Sequence, residues 1–338
     1  MVRFGLGAYV GFGDLPFLTD GAAADIKSWF RVFEEFDGIQ LERVILDMDD
    51  LSTYDKQVAT LYPGHRQVSG QIVLRATYDH LQYLLRHLTG HNVTATGTSP
   101  YVWTFGPIEP NSGSHYVYSG AGRGFCIEVY RGHSANSVFY QGCLINEWSM
   151  KFEPGSHVEL TLGFVGRGHT IGAKSTPAFN AEFITTPTGQ ALAGATAFVQ
   201  LPSGTPRIAR SASISIRNAI ELRRDVSSIE PLMSYPQGKR EVMLECEVET
   251  DDDTFLTQLN DPRGSRFASG TLYLADAVTA TRQLAFNFNE LALQSPAESR
   301  VRNLGVITCA LKLVAYRDTS NPAITSIQLQ NGQNTYPT

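Results

Sequence analysis

The chain has 338 residues, which is enough for two domains of ordinary size, each with its own hydrophobic core. With 42% hydrophobic and 18% charged residues, the composition excludes a disordered chain, and no apolar run is long enough to span a bilayer. The formal net charge of −6 argues against a general nucleic-acid binder, which needs a basic surface to neutralise phosphates.

The first predicted element is a helix near the N-terminus. Residues 25–36 contain apolar side chains at helical spacing, with Asp25 near the start and Gly38 just after the end. In residues 1–16, glycines interrupt the apolar stretches, so we expect no signal peptide. We therefore expect a soluble protein that is synthesised in the cytoplasm.

Most of the remaining chain has the period-2 alternation of β-strands. In the first half, the predicted strands are Gln40–Asp47, Gln67–Thr77, Gly124–Tyr130, Phe139–Phe152 and His157–Val165. In the second half, they are Ala209–Ile216, Glu241–Thr250, Gly270–Leu274, Gln283–Leu293 and Val306–Tyr316. Many short strands with little helix predict a β-sandwich or barrel.

One strand–helix pattern occurs twice. In residues 64–79 and again in residues 238–253, a basic turn opens an alternating strand, which ends at an Asp before a short leucine-containing helix. The predicted helices are 79–88 and 253–259. An Asn-Glu pair also recurs, at Asn146 and at Asn289. Two copies of one β-rich module predict a unit built for pseudo-symmetric assembly and not a single catalytic cleft.

These patterns divide the chain. We predict a mainly β protein of two tandem β-sandwich or barrel domains, each with one short flanking helix, plus extended loops. The Gly-, Thr-, Ala- and Pro-rich middle favours a linker, and the polar C-terminal segment favours a peripheral arm. The predicted ranges are a first domain at 1–166, a linker or arm at 167–206, a second domain at 207–320 and a C-terminal arm at 321–338.

The first half also carries an insertion, at about residues 90–119, that is rich in Thr, Ser, Gly and Pro. Its composition predicts exposure, but its aromatic side chains favour burial against another surface. We expect these side chains to contact a neighbouring subunit. They are Tyr101, Trp103, Phe105, Tyr116 and Tyr118.

No motif predicts an enzyme, a cofactor or a metal site. His80, His87 and His91 cluster near the first helix, but the acidic partner of a zinc-protease motif is missing, and surface histidines are expected. Residues 120–124 are glycine-rich but lack the Lys and the Ser or Thr of a phosphate-binding loop. The four cysteines form no C-x-x-C pair and are expected to be free and buried.

The predicted strand at residues 241–249 is acidic along one face, because Glu245, Glu247 and Glu249 alternate with apolar residues. In the first copy, Ser69 and Gln71 occupy the same face. A solvated outer face of a sheet is the simpler explanation. A negatively charged wall with a function is the alternative.

Two stretches carry a family resemblance. Residues 68–77 run as a strand into the leucine-containing helix, and residues 139–152 form a second long strand pattern. With the duplicated module, these stretches resemble the tail tube proteins of long-tailed, siphovirus-type bacteriophages, in particular the members with two tandem tube domains in one polypeptide. The resemblance covers most of both halves at the level of pattern.

The resemblance implies a structural protein of the virion tail. It implies that sheets of neighbouring subunits join edge to edge into an inner barrel, that three chains close a ring of six equivalent domains, and that rings stack into a tube. It also implies partners: further copies of the chain, other tail proteins such as the tape measure and the tail terminator, and double-stranded DNA that passes without specific binding. No membrane partner is implied.

For such a conduit, the lining must not hold DNA. Double-stranded DNA carries about one charge per 1.7 Å of axis, so a bore lined by Lys and Arg would bind it. The candidate lumen-facing residues are Ser69, Gln71, Glu245, Glu247 and Glu249. Arg75 has the opposite charge and must be offset by a neighbour or turned away.

Two other functions stay open at this point. The first is another phage virion component, such as a decoration or baseplate protein, which would form discrete oligomers. The second is a carbohydrate-binding β-sandwich that uses Tyr101, Trp103 and Tyr118 as a platform for sugar rings.

Overall fold

A computed structural model describes most of the chain. The described residues are 8–16, 20–31, 39–48, 60–90, 93–106, 123–132, 135–153, 156–177, 197–201, 206–223, 233–236, 240–250, 257, 259, 266–275, 282–294, 298–301, 307–316 and 322–332. Most of them lie in antiparallel β-strands, so the prediction of a mainly β protein is confirmed.

The strands of the first half are β1 (Tyr9–Pro16), β2 (Ile26–Arg31), β3 (Gln40–Met48), β4 (Thr60–Arg75), β5 (Tyr101–Phe105), β6 (Arg123–Tyr130), β7 (Asn136–Phe152), β8 (Glu159–Gly166) and β9 (Gly168–Ala173). A 3-10 helix (Ala23–Asp25) precedes β2, and helix α1 (Tyr78–Thr89) follows β4. The strands of the second half are β10 (Ala197–Gln200), β11 (Arg207–Arg217), β12 (Ile220–Arg223), β13 (Met233–Pro236), β14 (Glu241–Thr250), β15 (Arg266–Phe267), β16 (Gly270–Ala275), β17 (Gln283–Phe288), β18 (Glu290–Leu293), β19 (Glu298–Val301), β20 (Ile307–Tyr316) and β21 (Ile324–Asn331).

One antiparallel sheet, the spanning sheet, runs through both halves. Its strand order is β3–β4–β8–β7–β11–β14–β20, and β18 and β19 then lie one after the other along β20. The short strand β15 pairs with β18. The halves meet at the central seam, where the C-terminal part of β7 pairs with β11, for example Ser149 with Ser215.

Two further antiparallel sheets flank the spanning sheet. The first flanking sheet has the order β2–β1–β6–β7–β9 and uses the N-terminal part of β7. The second has the order β10–β16–β17–β21–β5, and β10 also pairs with the start of β11. Strands β12 and β13 form a separate hairpin. One hydrophobic cluster contains side chains from all three large sheets and from α1, so these elements enclose a common core.

The strand order of the first half recurs in the second. In the spanning sheet, β3–β4–β8–β7 corresponds to β11–β14–β20–β18, and the pair Ser69–Val165 has its counterpart in Met243–Val314. In the flanking sheets, β1–β6–β7–β9 corresponds to β10–β16–β17–β21. The recurring Asn-Glu pair marks the point where each chain segment passes from a flanking sheet to the spanning sheet.

Helix α1 forms where leucines at helical spacing predict it. All of its residues are buried, and its leucines pack in the common core. It ends at Gly90, whose φ of 76° is in the left-handed region, and the Gly90 N–H donates to the Arg86 carbonyl at 2.9 Å. Of the predicted second helix, Thr257 and Leu259 are described, and both are helical. Among the described residues, no helix combines the length and the hydropathy of a membrane span.

The helix predicted at residues 25–36 is wrong, because Ile26–Arg31 is strand β2, paired with β1. Burial alternates along β2 through Ile26, Ser28 and Phe30. The polar Ser28 obscured this alternation in the sequence. The Ser28 hydroxyl can be buried at little cost because it forms a hydrogen bond with His80 Nδ1, at 2.7 Å.

Three segments that composition assigned to loops or arms contain strands. The segment predicted as a linker includes β9 and β10, and the insertion includes β5. The predicted C-terminal arm includes β21, in which Ile324, Ile327 and Leu329 are at most 1% exposed. Polar residues between these apolar ones lowered the mean hydropathy, although the alternation of a half-buried strand is present.

Candidate functional site

The face of the spanning sheet that points away from the core carries polar side chains along several paired strands. On β14, Val242, Leu244 and Cys246 are at most 5% exposed, while Glu245 on the opposite face is exposed. By register, this polar face continues across the other described strands. Its described side chains include Ser69, Gln71, Arg75, Glu147, Ser149, Lys151, Glu159, Thr161, Ser213, Ser215, Arg217, Glu241, Glu245, Glu247, Glu249 and Lys312.

Two glutamates of β14, Glu245 and Glu249, form ion pairs with basic residues. Lys312 Nζ lies 2.9 Å from Glu245 Oε1, directly across the β14–β20 ladder. Arg210 Nε lies 2.5 Å from Glu249 Oε1. Such partly exposed pairs contribute about 0–1 kcal/mol each to stability, so their main effect is to reduce the negative field of the face. The sequence did not predict these partners, because strand register decides which charges meet.

The middle of the polar face, along the central seam, carries small hydroxyl side chains. Ser149 lies opposite Thr161 on one side and opposite Ser215 on the other. Gly163 adds no side chain, and a Cβ there would lie 2.9 Å from the Cβ of Glu147. The seam is therefore uncharged at the Ser149–Ser215 pair, and charged residues lie on either side of it along the same two strands: the ion pair of Arg217 with Glu147 at 3.5 Å, and Lys151 opposite Ser213.

The first-copy candidates lie on the same face. Ser69 is half-buried and Gln71 is exposed, and Gln71 lies opposite Gly163 of β8. Arg75 lies directly opposite the exposed Glu159. The strand register therefore places a negative charge beside this arginine, as expected.

A buried polar group closes one end of the central seam. The Asn218 N–H donates to the Asn146 carbonyl at 2.7 Å, and Asn218 Nδ2 donates to the Ile145 carbonyl at 2.9 Å. The Ile220 N–H donates to Asn146 Oδ1 at 2.7 Å. These bonds fix the second half on the corner of the first, and the recurring Asn-Glu pair was their only signal in the sequence.

Of the predicted aromatic contacts, Trp103 and Phe105 lie inside the chain, at 1% and 0% exposure. Trp103 Nε1 donates to Asn331 Oδ1 at 3.2 Å. Their burial in the chain's own core removes these two rings from the candidate contacts between subunits, and also from any sugar platform. Tyr101 is half-buried on β5. Tyr116 and Tyr118 lie outside the described residues.

The histidines of α1 are buried, so the prediction of surface histidines is wrong for His80 and His87. His87 Nε2 lies 2.9 Å from Asp14 Oδ1, and the Arg86 guanidinium donates to Asp14 Oδ2 at 2.6 Å. Burial alone would raise the pKa of Asp14, but the bond from His87 and the charges of His87 and Arg86 lower it to about 2. Burial lowers the pKa of His87, and the nearby Asp14 opposes this shift. His91 lies outside the described residues.

The four cysteines are free and buried, as predicted. Burial raises the pKa of the Cys246 thiol to about 12, which makes it unreactive. In the part of the chain that the structure describes, no three His, Cys, Asp or Glu side chains are placed to share a metal ion.

The outer edges of three strands are candidates for pairing with another chain. Within the described ranges, β3 pairs only with β4, β19 only with β20, and β9 only with β7. Unpaired strand edges in a soluble protein favour edge-to-edge association.

The sequence model of a family described as phage tail tube protein matches residues 43–299, which is more than half of the chain. Among curated proteins, none matches.

Proposed function

Because the chain belongs to the phage tail tube protein family, whose members are structural subunits of the virion tail, we propose that it is the major tube subunit of a siphovirus-type tail. Subunits of this family assemble with copies of themselves into a tube. In our proposal the tube consists of stacked rings and is the conduit for genome ejection.

The recurrence of the strand order supports two tandem tube domains, at 1–166 and 207–320. The flanking ranges 167–206 and 321–338 contribute strands, so β9 belongs with the first domain and β21 with the second. With two equivalent units per chain, three chains close a pseudo-sixfold ring.

The observation that carries the proposal is the central seam. Inside one chain, the edge of β7 pairs with the edge of β11, and this joins the two halves into one continuous sheet. Strand β3 is the counterpart of β11, and the β18–β19 segment is the counterpart of the C-terminal part of β7. If β19 of one copy pairs with β3 of the next, the same joint repeats around a ring and closes the spanning sheets into a barrel.

In this ring the polar face lines the bore. The lumen-facing residues are Ser69, Gln71, Glu245, Glu247 and Glu249. Cross-strand pairs with Lys312 and Arg210 leave this face without a basic excess, so DNA passes without being held by its phosphates. Tape measure and tail terminator proteins are the partners proposed inside the bore and at the tube end.

Electron microscopy of the purified protein tests the proposal. We expect hollow filaments with a regular axial repeat, and rings whose mass equals three chains. Discrete oligomers that do not polymerise would instead support a decoration or baseplate protein. Glycan binding by the single chain, without assembly, would support the carbohydrate-binding alternative.

A further inference from the structure

The two flanking sheets share an order of four strands but differ at their edges, and the edge formed by β9 in the first sheet and by β21 in the second is the one of interest. Strands β1, β6, β7 and β9 correspond to β10, β16, β17 and β21. Only β21 carries an added strand, β5, along its outer edge. Strand β5 comes from the insertion in the first half, so one half supplies a strand that covers the sheet of the other.

The added strand completes the core on that side. Phe105 pairs with Ile327 and Trp103 pairs with Leu329 in the β5–β21 ladder. All four side chains are at most 1% exposed. Full burial of a large apolar side chain stabilises a fold by about 1.5–3 kcal/mol, so this cover contributes substantially.

The counterpart edge, β9, has an apolar side chain in water. Ile171 lies opposite Val138 in the β7–β9 ladder and therefore on the same face, and Val138 packs against the common core. Ile171 is nevertheless 68% exposed. Ile171 therefore places an exposed apolar side chain on the core-facing side of the first flanking sheet, at its edge strand.

The strands that pair along the edges of the second half indicate what pairs along the corresponding edges of the first half. Two of its strands receive strands of the first half: β11 receives β7, and β21 receives β5. We call β11 and β21 receiving edges. Their counterparts in the first half are β3 and β9, and in the described part of the chain neither has a partner on its outer side. The first half already uses β7 and β5 on its own second half, so the occupant of these two edges comes from another copy. Strand β9 contacts β4, the neighbour of β3, so the copy whose β19 pairs with β3 also brings its second half to the β9 edge.

We propose that the β9 edge, centred on Ile171, is a docking surface for the second half of a neighbouring copy. The contact forms an outer seam beside the β3 seam and rests on the ring of the proposed function. Each joint between chains then has two layers, as the joint between the halves has inside one chain.

Substitution of Ile171 tests the outer seam. Ile171→Asp places an unpaired carboxylate in the contact, so we expect the critical concentration for tube formation to rise at least about fiftyfold. Ile171→Val removes one methylene and should raise it only about fourfold. Because Ile171 is exposed in the single chain, both variants should unfold at the wild-type temperature. Tube formation by Ile171→Asp at the wild-type concentration would overturn the proposal.

A thiol introduced at the same position reports the contact directly. The native cysteines are buried, so Ile171→Cys has one accessible thiol. We expect its alkylation to slow at least about tenfold in assembled tubes relative to the unassembled chain. Thr98→Cys is the control, because Thr98 is exposed and lies on neither the β3 edge nor the β9 edge. Its alkylation should not change.

The outcomes separate the two proposals. If the wild-type protein forms no rings or tubes, the proposed function fails. If wild-type tubes form but the thiol at position 171 reacts in them as fast as in the single chain, only the outer seam is wrong.

Discussion

Asn331 joins three elements from both halves through one fully buried side chain. Its Nδ2 donates to the Tyr78 carbonyl at 2.8 Å and to Gln82 Oε1 at 3.0 Å, while its Oδ1 accepts from Trp103 Nε1. Through these hydrogen bonds the amide links strand β21 to the first turns of α1 and to the indole ring on β5. In the sequence this residue belongs to a polar stretch, and nothing local distinguishes it from its neighbours. Only the long-range pairing of β5 with β21 reveals its role.

Asn331→Leu should lower the free energy of unfolding by about 3 kcal/mol, because it leaves buried donors and acceptors unpaired. Urea denaturation of the unassembled chain measures this change. Gln328→Leu is the matched control, since Gln328 is exposed on the same strand and should alter stability by no more than about 0.5 kcal/mol. Equal effects of the two substitutions would show that the amide network does not stabilise the fold.

The Asp14 group makes stability depend on pH. The folded pKa of Asp14, about 2, lies below its ordinary value of 3.8, so its contribution is present above pH 4 and is lost as the pH falls toward 2. The lowered pKa of the buried His87 acts in the same direction, because protonation of this ring favours the unfolded chain below about pH 6.5.

We expect Asp14→Asn to destabilise the unassembled chain at pH 7 by about 1–2 kcal/mol, through loss of the charged hydrogen bonds. The difference from wild type should shrink between pH 4 and pH 2, as measured by urea denaturation at each pH. Asp20→Asn is the control, because Asp20 pairs with Arg167 at an exposed site and contributes little. A difference that stays constant with pH would contradict the assignment.

At the scale of elements, the sequence predicts strands best where alternation is uninterrupted. β14 and the helix α1 follow their patterns closely, because β14 has one polar face and α1 has a single leucine stripe. The patterns of β2 and β21 are obscured because polar residues occupy buried positions in them, and β5 is obscured by the Thr-, Ser-, Gly- and Pro-rich residues around it. Ser28 is an example, since its burial depends on His80 from a distant helix. The acidic face of β14 is identifiable from one strand, but the basic partners of Glu245 and Glu249 come from β20 and β11.

Neutralising the acidic strand should slow DNA passage while leaving the rings intact. In the triple variant Glu245→Gln, Glu247→Gln and Glu249→Gln, Lys312 and Arg210 lose their partners and attract phosphates. We expect ejection to slow about threefold or more at low salt, with less effect at high salt. An infection assay with time-resolved DNA release gives the rate.

The double variant Glu245→Gln with Lys312→Gln is the control for the charge of the bore. It removes one pair without changing the net charge, so ejection should proceed at the wild-type rate. If the triple variant also ejects DNA at that rate, the polar face does not line the bore.

At the scale of the whole molecule, duplication of the module was predictable from the two copies of the strand–helix pattern. The way in which the halves join was not. The central seam depends on the register of β7 with β11, and the exchange of β5 depends on an insertion that composition assigns to a loop. The open edges β3 and β9 follow only from comparing each half with the other. In the proposed ring, this asymmetry leaves one set of edges for the next subunit.

The pairing of β5 with β21 also sets an order of events during synthesis. Trp103 and its partner Asn331 are 228 positions apart, so the ribosome releases the first long before the second. Until then Trp103 and Phe105 have no cover, and closing so large a loop is slow. Translation that stops before β21 yields a product in which these rings are exposed to water and one edge of β17 is unpaired. We expect such a product to aggregate, so only a chain synthesised through β21 can bury these two rings.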